Sequence, residues 1–191
     1  MAFLKSVIYV LVLGIAAHYI GEALPRRWFH FDRFPFAAWK WEREGRVYEV
    51  VRVQDWKDHV PDMSRVMKDM VPKRVGVCPT STEVWVLVRE TCVAELIHFL
   101  LCIFSPGVYL FWKNSMGVFL ACVVVFCNVP FIVIQRYNRP TLIALAERLE
   151  RREARRRLRM ATRIATAEAT DTILLPPQVG EDGAESGEVP T

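Results

Sequence analysis

From Met116 to Ile134 the chain runs for nineteen residues without a single charge. A helix needs about 20 such residues to cross a ~30 Å hydrocarbon layer. Lipid cannot satisfy backbone polar groups, so a run of this kind folds as a helix. Two other stretches are of similar length. Val7–Leu24 is apolar apart from Tyr9, His18, Tyr19 and Glu22, and Thr91–Trp112 is interrupted by Glu95, His98 and the Ser105-Pro106-Gly107 turn signal. The composition, 52% hydrophobic yet 24% charged, fits a chain in which these two populations are segregated along the sequence. The prediction is a mainly α membrane protein with transmembrane helices at about 6–24, 91–112 and 116–135. A secretory signal is the alternative for the first run, since Lys5 precedes its apolar core, but Gly14 to Tyr19 offers a poor cleavage site.

Orientation follows from Lys and Arg near the helix ends. Arg136 and Arg139 follow the third run directly, and the Arg-rich stretch Glu147–Met160 comes next; Arg26 and Arg27 follow the first run. Both flanks are therefore expected on the cytoplasmic side of a multi-pass cell-membrane protein, with the N-terminus and the Ser105–Ser115 turn outside and the C-terminus inside. A single integral membrane domain is expected over 1–160. Its segment 25–90 is read as cytoplasmic and interfacial, with Trp28, Phe29, Phe31, Phe34, Phe36, Trp39 and Trp41 at headgroup level. Within it, 45–56 alternates enough to suggest a strand, and 62–70 reads as a short amphipathic helix. Pro140 is expected to end the third membrane helix, a basic amphipathic helix to occupy 140–160, and 161–191 to be a largely disordered tail. The five cysteines, Cys78, Cys92, Cys102, Cys122 and Cys127, lie mostly in apolar helices without zinc-type spacing. No metal is expected.

Polar residues inside the apolar runs are costly and mark candidate sites. Glu95 and His98 stand three apart and so share a helix face. In the third helix Asn128 and Gln135 stand seven apart, nearly in register. A short turn makes these two helices antiparallel, so Gln135 and Arg136 come level with Glu95, and Asn128 near the depth of Cys102. Pro130 lacks an amide hydrogen and clashes with the carbonyl of Phe126, so a kink beside Asn128 should open a polar slot. Beyond it, Gln135-Arg136-Tyr137-Asn138-Arg139-Pro140 sets two guanidinium forks suited to phosphate around an aromatic and an amide.

Those residues resemble the glycosyl-4,4'-diaponeurosporenoate acyltransferases, small bacterial membrane proteins of carotenoid-glycoside biosynthesis. The likeness rests on Ala94–His98 (AELIH), Asn128–Pro130 (NVP) and Gln135–Pro140 (QRYNRP). Weaker echoes lie at Trp41–Tyr48 (WEREGRVY) and Trp56–Asp62 (WKDHVPD). The resemblance implies transfer of a fatty acyl group to a hydroxyl of a lipid-linked sugar. No GxSxG elbow or HxxxxD box supports an acyl-enzyme, so direct attack of the hydroxyl on an acyl thioester is the simplest chemistry. In that scheme His98 is the base, Glu95 orients it, and Asn128 donates to the oxyanion. Gln135, Arg136, Tyr137, Asn138 and Arg139 bind substrate, the arginines gripping the phosphates of an acyl-CoA donor. No cofactor is expected beyond that donor. The partners are membrane lipid, glycolipid substrate and acyl donor, with no nucleic acid, and the sequence sets no oligomeric state. Two rivals stand beside this reading: a nonenzymatic membrane scaffold or subunit, and another lipid-modifying transferase such as a methyltransferase. The latter finds no glycine-rich loop among only 9 glycines.

Overall fold

The computed structural model describes residues 1–60 and 79–174. Three helices in it are long and apolar enough to cross a membrane: α1 (Ala2–Ala23), α3 (Ser81–Phe104, continued to Leu110 as a 3-10 turn) and α4 (Ser115–Leu174). A short α2 (Val53–Trp56) lies between α1 and α3. The distribution of side chains is that of a membrane protein. Large apolar residues such as Leu11, Ile15, Phe99, Ile103, Phe119 and Phe126 are exposed, while Ser6, Thr91, Glu95, Ser105, Gln135 and Arg139 are buried. Lipid tails are as apolar as leucine, so helices in a bilayer associate through close packing and hydrogen bonds rather than by hiding apolar surface.

α3 packs antiparallel to α1. At one end Tyr9 donates its hydroxyl to the Phe104 carbonyl (2.8 Å) and its ring lies beside Phe111. Gly107 is required there, because a Cβ would come within 2.1 Å of the Tyr9 hydroxyl oxygen. At the other end Gly21 faces Ile97 and Val93. Arg26 closes the exit of α1, donating to the carbonyls of Gly21, Glu22 and Leu24 and pairing with Glu90 of α3 through two N–H groups. This guanidinium satisfies the last, orphaned carbonyls of α1 and ties them to the neighbouring helix. α4 lies against α3 through side chains described below, and it runs in the same direction as α1.

Several boundaries differ from expectation. α3 begins ten residues earlier than Thr91, at Ser81, because Thr80 and Glu83 form a reciprocal capping box. The first three turns of α3 therefore belong to the segment read as interfacial. The alternating stretch 45–56 is not a strand: Lys40–Glu49 is 3-10 helix and Val53–Trp56 is α2. Its alternation is weak, and Gly45 at φ +90 and Arg52 at φ +52 turn the chain where a strand needs extension. The helix read over 62–70 lies outside the described residues, as does Cys78.

α4 does not stop at Pro140. It runs through Pro130 and Pro140 to Leu174, so 161–174 is helical and only 175–191 of the expected tail lies outside the described residues. Each proline costs one hydrogen bond, and neighbouring helices and polar side chains compensate for such losses. The chain divides into two units, 1–151 and 152–191. In the second, the described part is helical and Leu158, Met160 and Ile164 are exposed.

Candidate active site

Two polar layers connect α3 to α4. The deeper one holds His98 and Asn128. The Asn128 amide nitrogen donates to the Val124 carbonyl (2.8 Å), which turns its oxygen towards His98 Nδ1 (2.9 Å). With an acceptor facing Nδ1, that nitrogen carries the hydrogen and Nε2 keeps the lone pair. Phe131, three residues on from Asn128, lies flat against the imidazole with ring centroids 4.5 Å apart and planes 8° from parallel. One side chain thus sets the tautomer and another sets the ring plane.

The second layer stands about 12 Å nearer the Arg26 end, eight helical residues on from Asn128. Here Glu95 accepts from Arg136 and Arg139 together. The division differs from expectation: Glu95 faces two guanidinium groups, and Asn128 is the residue that orients His98. Beyond these two bonds Asn128 keeps one N–H, the group that the expected oxyanion role would use.

The arginines are also placed differently from the expected phosphate forks. An arginine has five N–H donors, and all five of Arg136 are engaged. Nε and Nη2 meet the two oxygens of Glu42, Nη2 also donates to the Ala37 carbonyl, and Nη1 serves the Pro35 carbonyl and Glu95. Arg139, only 3% exposed, uses four: Nε to the Thr91 hydroxyl, Nη1 to the Phe36 carbonyl, and Nη2 to the Thr91 carbonyl and Glu95. Two carboxylates and two guanidinium groups form a neutral cluster that fastens the loop after α1 to both α3 and α4. Trp39 and Phe36 lie against the arginine faces at 5.2 and 5.8 Å. No fork remains for a donor phosphate.

Glu42 is not among the site residues the sequence points to, although it lies within the weak echo Trp41–Tyr48. It sits in the first turn of the 3-10 helix, accepts from the Trp39 backbone N–H (2.7 Å) and from the Tyr48 hydroxyl, and is 2% exposed. Burial alone would raise its pKa, but Arg136, Tyr48 and the Trp39 N–H outweigh burial and hold the carboxyl below its ordinary value. Burial, followed by the bond to Glu42, pushes the Tyr48 hydroxyl up. The same segment docks directly on α4: Gly45 approaches the Tyr137 backbone so closely that a Cβ would lie 3.2 Å from its carbonyl oxygen. Tyr137 and Asn138 face away from the cluster toward Lys57, whose ammonium lies 5.1 Å from the Tyr137 ring centroid and 3.5 Å from the Asn138 amide oxygen.

A cavity of about 300 Å³ borders the cluster. Phe31, Phe36, Ala38, Pro140, Ile143 and Ala144 form its apolar lining, and Glu42, Arg136, Arg139 and Glu147 its polar one. It opens beside Pro140 rather than beside Pro130, and His98 is not among its lining residues.

Comparison with known proteins bears on the same residues. The family model described as glycosyl-4,4'-diaponeurosporenoate acyltransferase matches residues 25–148, which include Glu42, both polar layers and the cavity. The chain belongs to this family. It is therefore an acyltransferase. Relatives bearing that name include one from Staphylococcus aureus strain bovine RF122 / ET3-1, 31% identical over 160 residues, covering 81% of this chain and 93% of the relative. Another, from strain USA300, is 30% identical over the same shares. No solved structure matches the chain significantly.

Proposed function

We propose that the protein moves a fatty acyl group from an acyl thioester, with acyl-CoA as the donor, to a hydroxyl of a lipid-linked sugar, a glycosyl carotenoid or related glycolipid. The reaction lies at the cytoplasmic end of the bundle. The hydroxyl oxygen bonds to the thioester carbonyl carbon as its proton passes to Nε2 of His98. Collapse of the tetrahedral adduct breaks the carbon–sulfur bond, and the same proton leaves with the thiolate as a thiol. Asn128 fixes the tautomer this requires, and Phe131 fixes the plane. Glu42, Glu95, Arg136 and Arg139 act at one remove, holding the loop after α1 against the helices that carry the base. The observation that carries the reading is the Asn128 oxygen on His98 Nδ1, which leaves the lone pair on the other nitrogen of an imidazole set in an apolar run.

Lipid extracts from cells with and without the protein, compared by mass spectrometry, test the reaction: a glycolipid heavier by one acyl group is expected only with it. His98→Gln tests the base. Glutamine keeps a polar side chain that still pairs with Asn128 but takes up no proton at neutral pH. Transfer is expected to fall about 10² to 10⁴-fold in protein that accumulates and unfolds as the wild type does. Full activity in purified His98→Gln would remove the base assignment and return the pair to an interhelical tie.

A further inference from the structure

We infer that Lys57 holds a phosphate of the acyl-CoA donor, with the Asn138 amide beside it, an inference that rests on the acyl-transfer reading above. The two arginines expected to grip phosphate are engaged by Glu42 and Glu95, and those four charges cancel. An anionic donor arriving at this end of the bundle needs another cation. Lys57 stands next to the cluster, on the flank of α4 that Tyr137 and Asn138 turn away from it.

The fold fixes this ammonium without neutralising it. α2 and the 3-10 turn Lys57–His59 form a tight corner, anchored by the fully buried Val53 and by the Trp56 indole N–H on the Val51 carbonyl (2.9 Å). From that corner the ammonium reaches to 5.1 Å from the Tyr137 ring centroid and 3.5 Å from Asn138 Oδ1. Neither partner carries a charge, and no carboxylate pairs with Lys57 among the described residues. A ring face and one amide oxygen hold an ammonium in place but leave its charge, and most of its three N–H donors, for an anion. The Asn138 amide nitrogen lies on the same planar group as the oxygen that meets Lys57, so its N–H donors border the same spot. The depth also fits. Asn138 stands seven residues on from Phe131, about 10 Å nearer the Arg26 end and nearly in register, and Phe131 is the ring that stacks on His98. A phosphate at Lys57 and a thioester carbonyl at His98 are thus set apart along one flank of α4 by a distance that the extended pantetheine arm of acyl-CoA covers.

Lys57→Gln removes the charge and keeps a polar side chain. With palmitoyl-CoA as donor and monoglucosyl diacylglycerol in detergent micelles as acceptor, KM for the donor is expected to rise about 10- to 100-fold, the usual worth of a charge-assisted hydrogen bond. KM for the acceptor and the unfolding temperature are expected to stay at wild-type values. S-palmitoyl pantetheine, which lacks the phosphates, supplies the contrast: the wild type should use it with a far higher KM than palmitoyl-CoA, and Lys57→Gln should bring the two KM values together. Asn138→Asp serves as the test if the glutamine variant does not accumulate. It keeps the shape of the amide but gives Lys57 a carboxylate, so the same rise in donor KM is expected while the unfolding temperature holds or rises. A purely structural lysine would instead lower the unfolding temperature and leave donor KM unchanged in the folded fraction. Wild-type donor KM in Lys57→Gln or in Asn138→Asp would overturn the phosphate site alone. No transfer from either donor by the wild-type protein would overturn the acyl-transfer reading itself.

Discussion

Arg139 shows how a residue's partners change the meaning of a substitution. As an exposed phosphate fork, Arg139→Lys would weaken donor binding. With four of its N–H groups committed to Thr91, Phe36 and Glu95, the same change strands part of Glu95 and the Thr91 carbonyl in a buried layer, and a point-like ammonium cannot reproduce the planar fork. The expected outcome is a loss of about 3–5 kcal/mol, the usual cost of breaking a buried ion pair from one side. It would be read as a lowered unfolding temperature in detergent, with KM for the donor unchanged in whatever protein remains folded. A donor KM raised several-fold at an unchanged unfolding temperature would count against the structural role. Replacing Arg155, Arg156 and Arg157 together by lysine, all exposed, is the control and should alter neither quantity.

Among the elements, the 3-10 segment Lys40–Glu49 matters beyond its length. Its Glu42 enters the ion cluster and its Gly45 rests on the α4 backbone, so two residues three apart hold it to the helix that also carries Asn128 and Gln135. Gly45 combines φ +90 with a 3.2 Å approach to the Tyr137 carbonyl oxygen, and alanine meets both obstacles. Gly45→Ala should cost roughly 1–2 kcal/mol for the left-handed backbone alone, and further by lifting the segment from α4. Thermal unfolding of the purified protein checks this, and an unchanged transition would mean that the segment docks by other means. α4 argues the complementary point. A proline is a sound signal for a helix end in water, yet Pro130 and Pro140 both lie inside one helix, because packing against α3 and the loop holds the axis where isolated backbone preference would release it.

At the scale of the molecule, α1 and α4 run in one direction and α3 in the other, which puts residue 1 and the 105–115 turn at one end and Arg26, Glu90, Arg136 and Arg139 at the opposite end. The basic residues then predict a side. A reporter fused after Met160 is expected in the cytoplasm and one inserted at Asn114 outside it; finding both on one side would remove α3 and α4 as a spanning hairpin.

The sequence alone determined the three apolar helices, their alternation and the residues worth attention, because charge-free length and hydropathy are local properties that lipid selects directly. Glu95, His98, Asn128, Gln135, Arg136 and Arg139 all stood out for being polar where polarity is costly. Their pairing was decided by tertiary structure alone. Glu95 and His98 share a helix face, and spacing along one helix favours joining them, but hydrogen bonds are settled by what the facing helix and the loop bring within 3 Å. Arg136 and Arg139 arrive from α4 to take Glu95, Glu42 arrives from a segment some ninety residues earlier, and Asn128 is left for the imidazole. Whether a guanidinium is free for a substrate depends on how many of its five donors are already engaged, and that number exists only once the chain has folded.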